Sequence, residues 1–255
     1  MMMVKDMPSR KAQDASLAEE VLTAAAGVAD RVREIREDIH AHPELRFQER
    51  RTADLCAREL EALGIDVRRN VGGTGVVGLL RGGGADNAGK TVAFRAEMDA
   101  LPADDRCGRS YASTVPGVAH LCGHDGHVAA LLGAAMVLSK LRARVPGAVK
   151  FFFEPAEENA PRGEKSGAEA MIADGALDDP TPDAIFGGHF YPDWPAGSIA
   201  LRVGSSFSGN DSVDGGAPAE HRRGGQLYAG HDTRRSGAKP ARRSRRDDRY
   251  VPDLG

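Results

Sequence analysis

Ala148-Val149-Lys150-Phe151-Phe152-Phe153 runs directly into Glu154-Pro155-Ala156-Glu157-Glu158-Asn159. The first six residues are short, apolar and aromatic, as a strand buried on both faces is. Such a strand needs helices around it, and helical patterns stand on either side. Upstream, Leu17, Val21, Leu22, Ala25, Val28, Val32, Ile35 and Ile39 recur at three- and four-residue steps and make one apolar stripe. His40-Ala41-His42-Pro43 ends it, because the residue before a proline is pushed out of the helical region. A second helix over residues 48–63 stops at Gly64. Residues 128–138 begin a third that runs to about residue 141, and residues 167–174 a short fourth. Residues 65–71, 76–80, 91–95, 184–186 and 198–203 read as further strands. Helices alternating with buried strands predict an α/β domain with a largely parallel sheet and flanking helices. Ligands on such sheets collect beyond the carboxyl ends of the strands.

Composition narrows the class without choosing a function. At 255 residues the chain can bury a sizeable core, and its apolar and charged fractions, 41% and 28%, are those of an ordinary globular protein. A net charge of −3 gives no overall reason to expect a nucleic-acid partner. Three cysteines, Cys56, Cys107 and Cys122, are too few and too scattered for a disulfide framework. The start has no apolar core of a secretory signal, and no apolar run approaches the ~20 residues of a membrane span. A cytoplasmic location, away from any membrane, is expected.

The strand ends carry the chemistry. Cys122-Gly123-His124-Asp125-Gly126-His127 packs a thiol, two imidazoles and a carboxylate ahead of the third helix. With an extended backbone, Cys122 and His124 would reach one point, and a thiolate beside an imidazole suits zinc and its first-row neighbours. The helix behind them favours the thiolate. Glu157 and Glu158 follow the aromatic strand, where one carboxylate can bind metal while its neighbour acts as a general base. Gly187-Gly188-His189 follows another apolar run and adds an imidazole. Glu97 and Asp99 alternate after residues 91–95, so both can face one side and hold a ligating histidine in one tautomer. The competing reading there is an Arg95–acid surface pair of little consequence. Gly73-Thr74-Gly75-Val76-Val77-Gly78 matches a dinucleotide fingerprint, but its glycines open a strand and no helix follows, so it reads as a hairpin turn.

Together with His40-Ala41-His42-Pro43-Glu44-Leu45 and Arg95 to Pro102, these segments occur in the order seen in the M20 metallopeptidases. The chain resembles the amidohydrolase branch that includes hippurate hydrolases, N-acyl-amino-acid aminoacylases and auxin-conjugate hydrolases, over roughly residues 29–209. The resemblance implies two divalent transition-metal ions, manganese, zinc, cobalt or nickel. It makes Cys122 the bridging ligand and His124, Glu158 and His189 further ligands. It also implies Glu157 as general base and Asp99 as the carboxylate beside the bridge. Glu97 stands where the family usually has aspartate. The implied reaction is hydrolysis of the amide bond of small N-acyl amino acids or peptides by metal-activated water.

Past about residue 210 both periodicities vanish and arginine-rich text begins, as in Ala241-Arg242-Arg243-Ser244-Arg245-Arg246. Residues 1–15 are expected to fray, residues 16–210 to form a partial metal-binding catalytic domain, and residues 211–255 to be a disordered basic tail, read out of frame. Interspersed aspartates and sparse aromatics, Tyr228 and Tyr250 alone, argue against a nucleic-acid arm there. The lid domain through which the family dimerises, and the last histidine ligand that follows it, are not recognisable. The alternative to an active hydrolase is therefore an inactive remnant that binds at most one metal.

Overall fold

The aromatic run forms β4 (Ala148–Glu154), the middle strand of one five-stranded sheet. The computed structural model describes residues 10–84, 89–158, 164–191 and 195–200. The other strands are β1 (Asp66–Val71), β2 (Gly75–Arg81), β3 (Thr91–Glu97) and β5 (Ala184–Gly187). All lie in the first of two compact units, residues 1–196, and their order is β1-β2-β4-β3-β5. β3 runs parallel to both β4 and β5, which is the parallel half expected of the sheet. β2 runs antiparallel to β4 and to β1, so the sheet as a whole is mixed. The glycine-rich turn between β1 and β2 closes a hairpin, with Val71 opposite Gly75, as its strand-opening glycines predict.

Both faces of β4 are covered, which its alternation explains. Val149, Phe151 and Phe153 point into the larger core, made with α2 (Ala29–Ala41), α3 (Arg50–Ala62) and α4 (His124–Lys140). Ile35, Ile39, Leu60, Leu80 and Leu132 close around them with at most 1% exposure. Phe152 points the other way, into a smaller cluster with Val71, Val77, Ala93, Met171 and Ala176. That second face is covered by α5 (Gly167–Ala173), whose start is set by a reciprocal capping box between Ser166 and Glu169. Lys150 shares the second face. Its buried ammonium donates to the carbonyls of Ala176 and Asp178, and burial pushes its pKa down.

Local differences from the sequence pattern have simple causes. The stripe from Leu17 to Ile39 is divided between two helices, α1 (Arg10–Ala26) and α2, at Gly27-Val28. Apolar spacing is nearly continuous across the break, so periodicity alone hides it. α1 also begins at Arg10, inside the segment expected to fray. Residues 198–200 carry no strand, contrary to expectation, and residues 201–203 lie outside the described residues, as does the basic tail. No described helix is long and apolar enough to cross a membrane.

The parallel register sets the level of the site. β3 and β4 pair from Thr91 opposite Ala148 through to Glu97 opposite Glu154, so both strands release their chains at one height. Met98 then donates its N–H to the Glu154 carbonyl at 2.8 Å, and Ala100 pairs with Leu45. Truncating Phe151 to alanine removes a fully buried ring from the centre of this sheet. Urea unfolding is expected to show a loss of about 3–5 kcal/mol, against a small fraction of that for Phe186→Ala on the exposed edge strand.

Candidate metal centre

Three strand ends and one helix start meet beyond the carboxyl edge of β3 and β4. Asp99 leaves the end of β3 and is 1% exposed. Its Oδ1 lies 3.2 Å from His124 Nδ1, and its carbonyl oxygen 2.9 Å from the same nitrogen. Two acceptors on one nitrogen put the proton there, which turns Nε2 toward Glu157 and Glu158 at 3.8 and 4.0 Å. Asp99 Oδ2 accepts the Glu158 N–H at 2.9 Å. One carboxylate thus ties the strand end that carries the glutamates to the helix that carries the histidine.

The helix start differs from the extended dipeptide expected. Gly123 has φ +86°, a left-handed conformation that favours glycine, and His124 is already the first residue of α4. Cys122 and His124 still converge, because the left-handed turn folds the cysteine back over the helix end. One donor atom each from Cys122, His124 and Glu158 lies within 4.8 Å of the others. His189, just past β5, brings Nε2 to 3.3 Å from Cys122 Sγ, while its Nδ1 donates to the Phe190 carbonyl at 2.8 Å. Both histidines therefore have Nδ1 tied to an oxygen and Nε2 turned to the cluster, the usual arrangement for imidazole ligands. A thiol, two imidazoles and a carboxylate suit a divalent first-row ion better than magnesium or calcium, so the donors present fit such a metal.

The charges are arranged to match. Burial lowers the basicity of His124, but its hydrogen bonds to Asp99 and Cys122 and the nearby carboxylates outweigh this and raise it to about 11. Without a cation the ring holds a second proton, which an ion bound at Nε2 would replace. Burial would raise Asp99, and the His124 hydrogen bond overcomes it and keeps the carboxyl below its usual range. Glu157 goes the other way. Burial raises it, and its neighbour Glu158 adds to the rise against the charges of His124 and Arg95.

Sequence reasoning named each of the six residues gathered here but missed three that hold them. Arg95 is no surface pair. Its guanidinium is inserted among carboxylates, contacting Glu154, Glu97 at 2.6 Å and Glu157 at 3.9 Å. Glu49 is fully buried and accepts the N–H groups of Phe47 and Ala156, each at 2.9 Å. Ala156 sits at φ +47°, unusual for a residue with a side chain, and this bond helps fix the turn that delivers Glu157. Nothing in the local pattern marks Glu49, which reads as an ordinary charge before α3. Asp125 faces away from the cluster, accepting from Arg36 at 3.1 Å and from His40 at 2.9 Å, and so fastens the first turn of α4 to α2.

The fold and this donor set define an α/β domain with a candidate metal centre at the carboxyl ends of its strands. The sequence pattern of peptidase family M20/M25/M40 matches residues 93–250, and the chain belongs to that family. It is 38% identical over 218 residues to thermostable carboxypeptidase 1 of Saccharolobus solfataricus, covering 85% of this chain and 53% of that protein. It is 40% identical over 178 residues to the hippurate hydrolase of Campylobacter jejuni, covering 70% and 44%. Among solved structures, Bacillus subtilis YxeP, described as a dinuclear metal binding peptidase from the M20 family, superposes with a TM-score of 0.63. That match has 38% identity and covers 69% of this chain and 47% of YxeP. The chain spans about half the length of the curated relatives it matches.

Asp99→Ala frees both His124 and the Glu158 backbone. Affinity for zinc or manganese, titrated against a chromophoric chelator, is expected to fall about 10- to 100-fold. An unchanged affinity would show that the bridge through Asp99 is dispensable.

Proposed function

We propose that this chain carries the catalytic metal domain of an amidohydrolase that cleaves the amide bond of N-acyl amino acids or small peptides. The observation that carries the reading is the division of labour between Glu157 and Glu158. Glu158 is pinned through its backbone to Asp99 and joins the donor cluster. Glu157 stands outside that cluster with its side chain 38% exposed, close enough to work beside it. Its raised pKa suits a group that takes a proton and later returns it.

Cys122, His124, Glu158 and His189 are the residues that would hold divalent ions, manganese, zinc, cobalt or nickel. When bound, such an ion supplies Lewis acidity, which acidifies water and stabilises negative charge on a carbonyl oxygen. Glu157 accepts the proton of the attacking water and delivers it to the departing amine nitrogen. Arg95, 3.9 Å away, limits how far the carboxyl can be raised and keeps it able to accept. Asp99 holds the His124 ring still through both transfers. The exposed flank beside Glu157 and His189 is where a small substrate would enter. Hippurate is itself an N-acyl amino acid, so the relative's name supports this substrate class.

The test is hydrolysis of N-acetyl and N-benzoyl amino acids by the metal-loaded full chain, with metal content measured alongside. Glu157→Gln is expected to lower kcat by about 10²–10⁴-fold while retaining metal. Wild-type turnover in that variant would remove Glu157 from the role. The competing reading, a domain that binds metal without hydrolysis, is favoured if the wild-type chain takes up one equivalent of ion and releases no amino acid.

A further inference from the structure

His127 lies one helical turn from His124, is 6% exposed, and is absent from the Cys122 cluster. Its two ring nitrogens are both engaged. Nε2 receives the Phe190 N–H at 3.1 Å, and Nδ1 lies 2.8 Å from Glu97 Oε2. A peptide N–H can only donate, so Nε2 carries the lone pair and the proton sits on Nδ1, facing Glu97. Glu97 is itself held by Arg95 through its other oxygen at 2.6 Å. Burial would raise the Glu97 carboxyl, but the His127 hydrogen bond and the Arg95 charge bring it to about 2. The imidazole is therefore fixed in one tautomer and one orientation. Glu97, His124 and His127 could be grouped as donors to an ion, but these two hydrogen bonds already use both nitrogens of His127.

What His127 holds is the segment that carries His189. β5 ends at Gly187, and residues 188–191 belong to no strand or helix. Phe190 receives His189 Nδ1 on its carbonyl and gives its N–H to His127. The His127 ring also packs edge-on against both side chains, with centroids 4.8 Å from His189 and 4.9 Å from Phe190. Gly126 makes room for this, because a Cβ there would stand 2.3 Å from the Phe190 ring.

We infer that His127, clamped by Glu97, is a positioning residue that sets how His189 meets Cys122, acting through the Phe190 backbone. The inference rests on the reading of Cys122, His124, Glu158 and His189 as the metal-holding set. It gives a purpose to the buried pair Glu97 and His127, which the hydrolytic steps do not use.

The experiment titrates the full chain with zinc against a chromophoric chelator. His127→Phe keeps a ring but removes both nitrogens, and is expected to weaken zinc binding about 10- to 100-fold. His127→Gln, whose amide oxygen can accept the Phe190 N–H, is expected to recover most of the loss. Wild-type affinity in His127→Phe overturns the inference, as does an equal loss in both variants. If circular dichroism shows His127→Phe unfolded, Glu97→Ala takes its place. It removes the acceptor that fixes the His127 ring and leaves His127 present, and unchanged affinity there also overturns the inference. His189→Ala separates the two levels of argument. A normal affinity in that variant refutes the ligand reading itself, whereas a loss there with none in His127→Phe refutes only the positioning role.

Discussion

The Asp99 carboxylate is the point on which the site turns. One oxygen faces the His124 imidazole and the other accepts the Glu158 backbone N–H. These partners come from different elements, the start of α4 and the segment after β4, and their side chains also approach each other to 4.0 Å. A buried carboxylate is costly unless its lone pairs are used, and here both oxygens are used on groups that must be oriented. The parallel pairing of β3 with β4 makes this possible, because it ends both strands at one height, Glu97 opposite Glu154, just before these residues. The sheet supplies the position and the carboxylate supplies the angle.

Around that bridge the molecule crowds like charges and then contains them. Glu97, Asp99, Glu154, Glu157 and Glu158 all leave the same two strand ends. Arg95 reaches Glu97, Glu154 and Glu157, and the buried His124 ring faces Asp99 and Glu158. The result is uneven in a useful way. Glu97 is driven well down in pKa, whereas Glu157, at the exposed rim, is raised. Acidic neighbours with opposite shifts can take different roles, one structural and one in proton transfer.

Much of this was legible before any coordinates. Apolar runs followed at once by glycine, acid or histidine marked the strand ends, and β4 announced burial on both sides through its three phenylalanines. What was illegible depended on partners distant in sequence. That β2 lies antiparallel to β4 leaves no local trace, so only the parallel half of the sheet could be anticipated. His127 was visible in its segment but without a task, because its partners Glu97 and Phe190 lie 30 and 63 residues away. Arg95 looked like a surface charge because the neighbouring glutamates reveal nothing of their burial. Cys122 and His124 do converge, yet through a left-handed glycine that no spacing rule distinguishes from an extended one.

The same long separations bear on when the site can exist during folding. Cys122 meets His189 across 67 residues and Asp99 meets Glu158 across 59, and β5 docks only on the far side of β3. Closing loops of that size costs chain entropy before any contact repays it, which makes such assembly slow relative to local helix formation. A chain emerging from the ribosome would hold β1 and β2 while the candidate site, which draws on residues from Asp99 to His189, was still incomplete. The thiol of Cys122 is therefore without its imidazole neighbour from β5 until the last strand is in place. Until then it is a free thiol waiting beside an unfinished sheet.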